Sequence, residues 1–209
     1  STVPRTEIFV TTKLWDSDQG YDAALEAFDR SMAELGLDYV DLYLIHWPVE
    51  SLRTDSWRAL EQIKADGRAR SIGVSNFSHI HLQALFPAAK ERPAVNQIEL
   101  SPFLQQRPIS EFCRSQDIQL TGYCPLAKGQ RFDDPTLTEI AAQHGKSQAQ
   151  VMIRWALQKG QAVIPKSSNP RRIAHNADVF DFEISADQME CLNALDDDYR
   201  LCPDPMSMP

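Results

Sequence analysis

Val40–Pro48, VDLYLIHWP, is the stretch whose reading decides the fold. Leu42, Leu44 and Ile45, with Tyr43 between them, form a continuous apolar run without in/out alternation, the pattern of a strand covered on both faces in a parallel sheet. Pro48 ends it, because proline has no N–H with which to continue a ladder. His46 is therefore delivered at a strand C-terminus, where α/β folds place their chemistry. Taken alone, the ring reads first as a core histidine satisfied by a backbone carbonyl. A second strand, Ile8–Thr12 (IFVTT), is followed at once by Lys13, so two successive strands end on titratable groups.

Further strands are expected to begin near Ser71, Val95, Gln119 and Ala162, and a helix lies in each interval. Tyr21–Leu35 carries Ala24, Leu25, Phe28, Met32 and Leu35 at helical spacing and stops at Gly36. Trp57, Leu60 and Ile63 mark one face of a second helix that ends near Gly67. A third opens at Ser78, a fourth covers Ile109–Cys113, a fifth carries Leu137, Ile140 and Ala141, a sixth spans Gln148–Gln158, and a seventh begins near Pro170. Strict alternation of buried strands and helices predicts an α/β protein with a parallel sheet. A doubly wound open sheet is the competitor, but its G-x-G-x-x-G turn is absent. Six βα units are legible where a closed (β/α)₈ TIM barrel has eight and needs roughly 250 residues. The reading is a single barrel domain over 1–209 with the first two βα units missing.

The 209 residues are 43% hydrophobic and 24% charged, ordinary for a globular chain. A formal net charge of −8 argues against nucleic acid or an anionic membrane as partner, while leaving room for a local basic pocket. The four cysteines form no C-x-x-C pair and have no histidine at ligand spacing, so no metal site and reduced cytoplasmic thiols are expected. No apolar run approaches the ~20 residues of a membrane span, and the N-terminus lacks a signal-peptide layout. A monomer is expected.

The residues closing the strands form a polar list: Lys13, His46, Ser75-Asn76, Gln97 with Glu99, Tyr123, and Lys166-Ser167-Ser168. Each has a plain structural alternative; Ser75-Asn76 could cap the next helix and Tyr123 could be core. TTKLW, DLYLIHWP, SIGVSNF, VNQIEL, GYCPL and IPKSSNPRRIAHN, in this order, resemble the aldo-keto reductase superfamily, and VPRTEIFVTTKLW and LCPDP are similar to diketogluconate reductases and prostaglandin F synthases. The resemblance implies a (β/α)₈ barrel that reduces small aldehydes or ketones with NADPH, without metal or flavin. It places the catalytic Lys on Lys13 and the His on His46. It gives Ser75, Asn76, Gln97, Tyr123, Leu126, Lys166, Ser167, Ser168, Asn169, Arg172 and Asn176 to the cofactor, with Arg172 at the 2′-phosphate and Asn176 at the adenine. Trp15 and Trp47 would wall the substrate pocket.

The family's other two catalytic residues, an Asp and a proton-donating Tyr, lie in a D-x-x-x-x-Y-x-N-E segment that does not occur here. Loss of two barrel units and loss of that pair are one absence, so a longer parent protein is expected and these 209 residues alone are expected to be inactive. The alternative is a non-catalytic NADPH-binding or sensor protein of the same fold.

Overall fold

β2 (Val40–Ile45) of the computed structural model is buried at every position, as its unbroken apolar run requires. Its one charged member, Asp41, is held by Arg5 at 2.8 Å and Arg70 at 3.2 Å and accepts the Val10 N–H at 2.9 Å. These partners hold its carboxyl below the usual range despite burial, which alone would raise it. The structure describes residues 2–207.

The chain divides into two compact units. The first comprises Ser1–Asn96, Cys113–Ile118 and Asp204–Pro209. It contains β1 (Thr11–Leu14), α1 (Tyr21–Leu35), β2, α2 (Arg53–Ala65), β3 (Ala69–Ser75), α3 (His79–Leu85) and the first residues of β4 (Val95–Glu99). The β1–β2 and β2–β3 pairings are parallel, with Lys13 opposite Leu44 and Leu44 opposite Gly73. Gly73 is dictated by space: a β-carbon there would lie 2.5 Å from the Val95 carbonyl oxygen and 2.8 Å from Leu44 Cδ2. α1 buries Ala24, Ala27, Phe28 and Met32 and ends where Gly36 turns left-handed, with φ of 63°.

The second unit comprises Gln97–Phe112 and Gln119–Pro203. After the rest of β4 and most of α4 (Arg107–Ser115) come β5 (Gln119–Tyr123), α5 (Pro135–His144), α6 (Gln148–Gln158), β6 (Ala162–Val163), α7 (Pro170–Ala177) and α8 (Ala186–Asn193). β6 runs parallel to β5, with Thr121 opposite Ala162. α6 starts on a reciprocal capping box between Ser147 and Gln150 and buries Val151, Met152, Ile153 and Trp155. Along the chain the strands pair in the order β1-β2-β3-β4-β5-β6, an α/β fold with a parallel six-stranded sheet.

Several boundaries differ from the sequence reading. The first strand is Thr11–Leu14, not Ile8–Thr12, so Lys13 lies inside it. A 3-10 turn over Arg5–Glu7, with Arg5 donating to the Ile8 carbonyl, leaves Ile8 and Phe9 exposed ahead of the ladder. α4 runs longer than Ile109–Cys113, because Pro108 is tolerated in a first helical turn. β6 has only two residues: the Ile164 N–H still reaches the Gly122 carbonyl, and Pro165 has none to offer. α8 lies outside the sequence reading, although its Ser185-x-x-Gln188 capping box is a sequence-level signal. Among the described residues no helix is long and apolar enough to cross a membrane, and no group of three or more His, Cys, Asp or Glu could hold a metal.

Candidate active site

His46 is the first residue past β2, and its N–H donates to the Leu14 carbonyl at 3.1 Å, continuing the pairing to β1. The imidazole lies near two indoles, its centroid 5.0 Å from that of Trp15 and 6.2 Å from that of Trp47. Burial, and secondarily the positive charge of Lys13, push its pKa down to about 4. The ring is therefore neutral near neutrality, with one nitrogen as donor and the other as acceptor. Lys13 itself is half-buried, and desolvation holds its ammonium below the ordinary lysine range.

The backbone around this ring is fixed from two sides. The buried Asn76, just past β3, has φ of 62° and donates its side-chain amide to the His46 carbonyl at 3.0 Å and to Ser75 Oγ at 3.2 Å. Asparagine tolerates this left-handed conformation better than other side chains. Gln19, also buried, donates Nε2 to the Trp47 carbonyl at 2.7 Å. Trp15 is 57% exposed, so one indole of the pair presents apolar surface to solvent.

In the second unit Gln97 is buried in β4 and Tyr123 is half-buried at the end of β5. Burial, and then Cys202 and Glu99, raise the Tyr123 pKa, so this phenol keeps its proton. After Tyr123 the chain takes left-handed φ at Cys124 (50°), Ala127 (46°) and Lys128 (51°). Following β6, Ser167 Oγ accepts the Asn169 N–H at 3.1 Å, and Asn169 Oδ1 caps α7 by accepting the N–H groups of Arg171 at 2.9 Å and Arg172 at 3.4 Å. Between these two stretches lies a cavity of about 500 Å³. Leu126, Lys166, Ser167, Ser168, Arg172 and Asn176 line it, together with Lys128, Gly129, Phe132, Ser147, Gln148, Ala149 and His175.

Lys128, Lys166 and Arg172, with Ser167 and Ser168, line this cavity beside the start of α7, a donor set and a helix end that favour an anion. The sequence matches the aldo/keto reductase family over residues 1–197. The chain belongs to that family. It is 49% identical over 205 residues to the glyoxal reductase of Bacillus subtilis, covering 98% of this chain and 74% of the relative. It is 48% identical to the 9,11-endoperoxide prostaglandin H2 reductase of Trypanosoma cruzi, with the same 98% and 74% shares. The structure of a Gox0644 mutant in complex with NADPH superposes with a TM-score of 0.93 at 45% identity, covering 97% of this chain and 76% of that one.

Within this aldo/keto reductase, the first unit gathers Lys13, Trp15, His46, Trp47, Ser75 and Asn76. In the second, six of the residues assigned to the cofactor share one cavity, whereas Asn169 commits its side chain to capping α7. Tyr123 closes β5, whereas Gln97 lies in the middle of β4 instead of at its end. Sequence reasoning missed Lys128, Phe132 and Ser147–Ala149 on the cavity wall. Only Ser147 carried a signal, its S-x-x-Q capping box. The left-handed Ala127 and Lys128 follow no Gly or Asn that would announce them.

Proposed function

We propose that this chain is part of an eight-unit (β/α) barrel that reduces an aldehyde or ketone to an alcohol with NADPH. The observation that carries the reading is the neutral His46 ring beside the half-buried Lys13, near Trp15 and Trp47. A neutral imidazole can donate its N–H to a carbonyl oxygen without adding charge to the ground state. The Lys13 ammonium then favours the negative charge that develops on that oxygen, and it makes a neighbouring phenol a better acid. NADPH, when bound, supplies the hydride. The two indoles wall the carbonyl pocket with rigid apolar surface.

In the second unit, Lys166, Ser167, Ser168 and Arg172 would hold the 2′-phosphate, with Leu126 and Asn176 at the adenine. The donor set and the size of the cavity support this fit. In the same unit the face of Tyr123 would meet the nicotinamide ring, with Gln97 as a further cofactor residue. The proton would come from the tyrosine of the family's D-x-x-x-x-Y-x-N-E segment, which these residues do not contain. A reducing setting such as the cytoplasm suits the four free cysteines.

Binding is tested on the 209 residues directly, by quenching of tryptophan fluorescence with NADPH. Saturable quenching that 2′-phosphorylated adenosine relieves is expected. Quenching that this competitor leaves unchanged would remove the phosphate cavity from the reading. Turnover is tested on an extended chain, in which a family member's D-x-x-x-x-Y-x-N-E segment precedes Ser1; the 209 residues alone should give none.

A further inference from the structure

Two cysteines far apart in sequence meet in the second unit. Cys124 directly follows β5, where the left-handed backbone turns the chain. Cys202 belongs to the C-terminal segment, and Glu99, at the end of β4 and 3% exposed, fixes its backbone. Glu99 Oε1 accepts the Leu201 N–H at 2.8 Å and Oε2 accepts the Cys202 N–H at 2.9 Å. The two strand ends are tied together beside this clamp, since the Leu100 N–H donates to the Tyr123 carbonyl at 3.1 Å. Charge-assisted bonds to a buried carboxylate are costly to break, so they hold the backbone at Leu201 and Cys202 against the end of β4.

Within this frame the Cys202 thiol lies in hydrogen-bonding reach of both the Cys124 thiol and the Tyr123 hydroxyl. Both thiols are half-buried, open enough for a small oxidant, whereas Cys113 is buried and Cys191 exposed. We propose that Cys124 and Cys202 are an oxidation site, forming a reversible disulfide on exposure to a peroxide and fastening the C-terminal segment to the end of β5.

The chemistry balances in two steps. The Cys202 sulfur attacks the peroxide, the O–O bond breaks, and sulfur loses two electrons to give a sulfenic acid and one water. The Cys124 sulfur then attacks that sulfur, an S–S bond forms as the S–O bond breaks, and the thiol proton leaves with the hydroxide as a second water. Burial, followed by Cys202 and Glu99, pushes the Cys124 thiol up, which suits it to the second step more than to the first. Neither step needs NADPH or a carbonyl, so the proposal stands apart from the reductase reading.

The test treats the protein with hydrogen peroxide, blocks the remaining thiols and digests with trypsin without reductant. The peptide of residues 115–128, holding Cys124, should appear joined to that of residues 201–209, holding Cys202, with two hydrogens fewer than their sum. Dithiothreitol should separate them. Cys202→Ser, which leaves the left-handed end of β5 untouched, should abolish the joined peptide, and Cys124→Ser should leave Cys202 to oxidise further. Cys202 carried to sulfinic acid in the wild type while Cys124 stays free would overturn the proposal. So would linkage through Cys113 or Cys191 instead.

Discussion

The side-chain amide of Asn76 donates to the backbone carbonyl of His46 at 3.0 Å, from a residue whose own φ is 62°. One side chain thus meets two requirements, left-handed backbone after β3 and a fixed peptide after β2. Asn76→Gly keeps the backbone freedom and loses the amide, and should destabilise by about 1–3 kcal/mol for a buried carbonyl left unpaired. Asn76→Ala should cost about 1–2 kcal/mol more, because it adds a β-carbon in the left-handed region. Urea unfolding of the two variants separates the terms. Equal destabilisation would show that the backbone at Asn76 relaxes freely.

The depressed pKa of His46 has a definite pH signature. The folded ring titrates near 4 and the unfolded one near the ordinary 6.5. Between these values the unfolded chain binds a proton that the folded one refuses, so stability falls as pH drops through 6.5 and levels off below 4. Discounted for solvent screening at a partly exposed ring, the loss is about 1–2 kcal/mol. Comparing wild type with His46→Gln by urea unfolding at several pH values isolates it. A wild-type profile parallel to that of the variant would mean that folding leaves the pKa of the ring unshifted.

Lys13→Met tests the cation. Methionine can occupy much of the lysine stem's volume beside Leu44, so the fold should persist. The single-turnover rate of the extended chain should fall by about 10²–10⁴-fold if the ammonium activates the proton donor. A rate within a few-fold of the parent would exclude Lys13 from the chemistry.

Much of this was legible in the residues, for reasons that differ by region. β2 announced itself because burial on both faces demands an unbroken apolar run, and α1 and α6 because their apolar positions recur at helical spacing. The start of β1 was not legible, since Ile8 and Phe9 are as apolar as a strand yet exposed. What decides it is the Arg5 turn and the Asp41 carboxylate taking the Val10 N–H, a contact 31 residues away. At the candidate site, His46 could be read from the end of β2 and Lys13 only from a strand end drawn two residues early, while the depression of His46 depends on burial and was not legible. Asn76 as the residue that fixes His46 was invisible too, because its partner is a backbone carbonyl.

Arg172 should read the 2′-phosphate and little else. Its backbone N–H stays on Asn169 Oδ1 whatever its side chain, so Arg172→Ala leaves the α7 cap in place. NADPH affinity should fall by about one to two decades, the worth of one charge-assisted bond, and NADH affinity should hardly change. High salt should shrink the difference, because the guanidinium is exposed. Equal loss for both cofactors would assign Arg172 to the loop's structure.

The most direct test of the central claim is the fate of NADPH and a simple aldehyde such as a nitrobenzaldehyde, followed together in the extended chain. The account predicts one alcohol formed per NADPH oxidised, with the deuterium of a deuterated nicotinamide carbon recovered on the product carbon. Tight NADPH binding with no alcohol formed would contradict it and would make this chain a cofactor-binding protein that does no reduction.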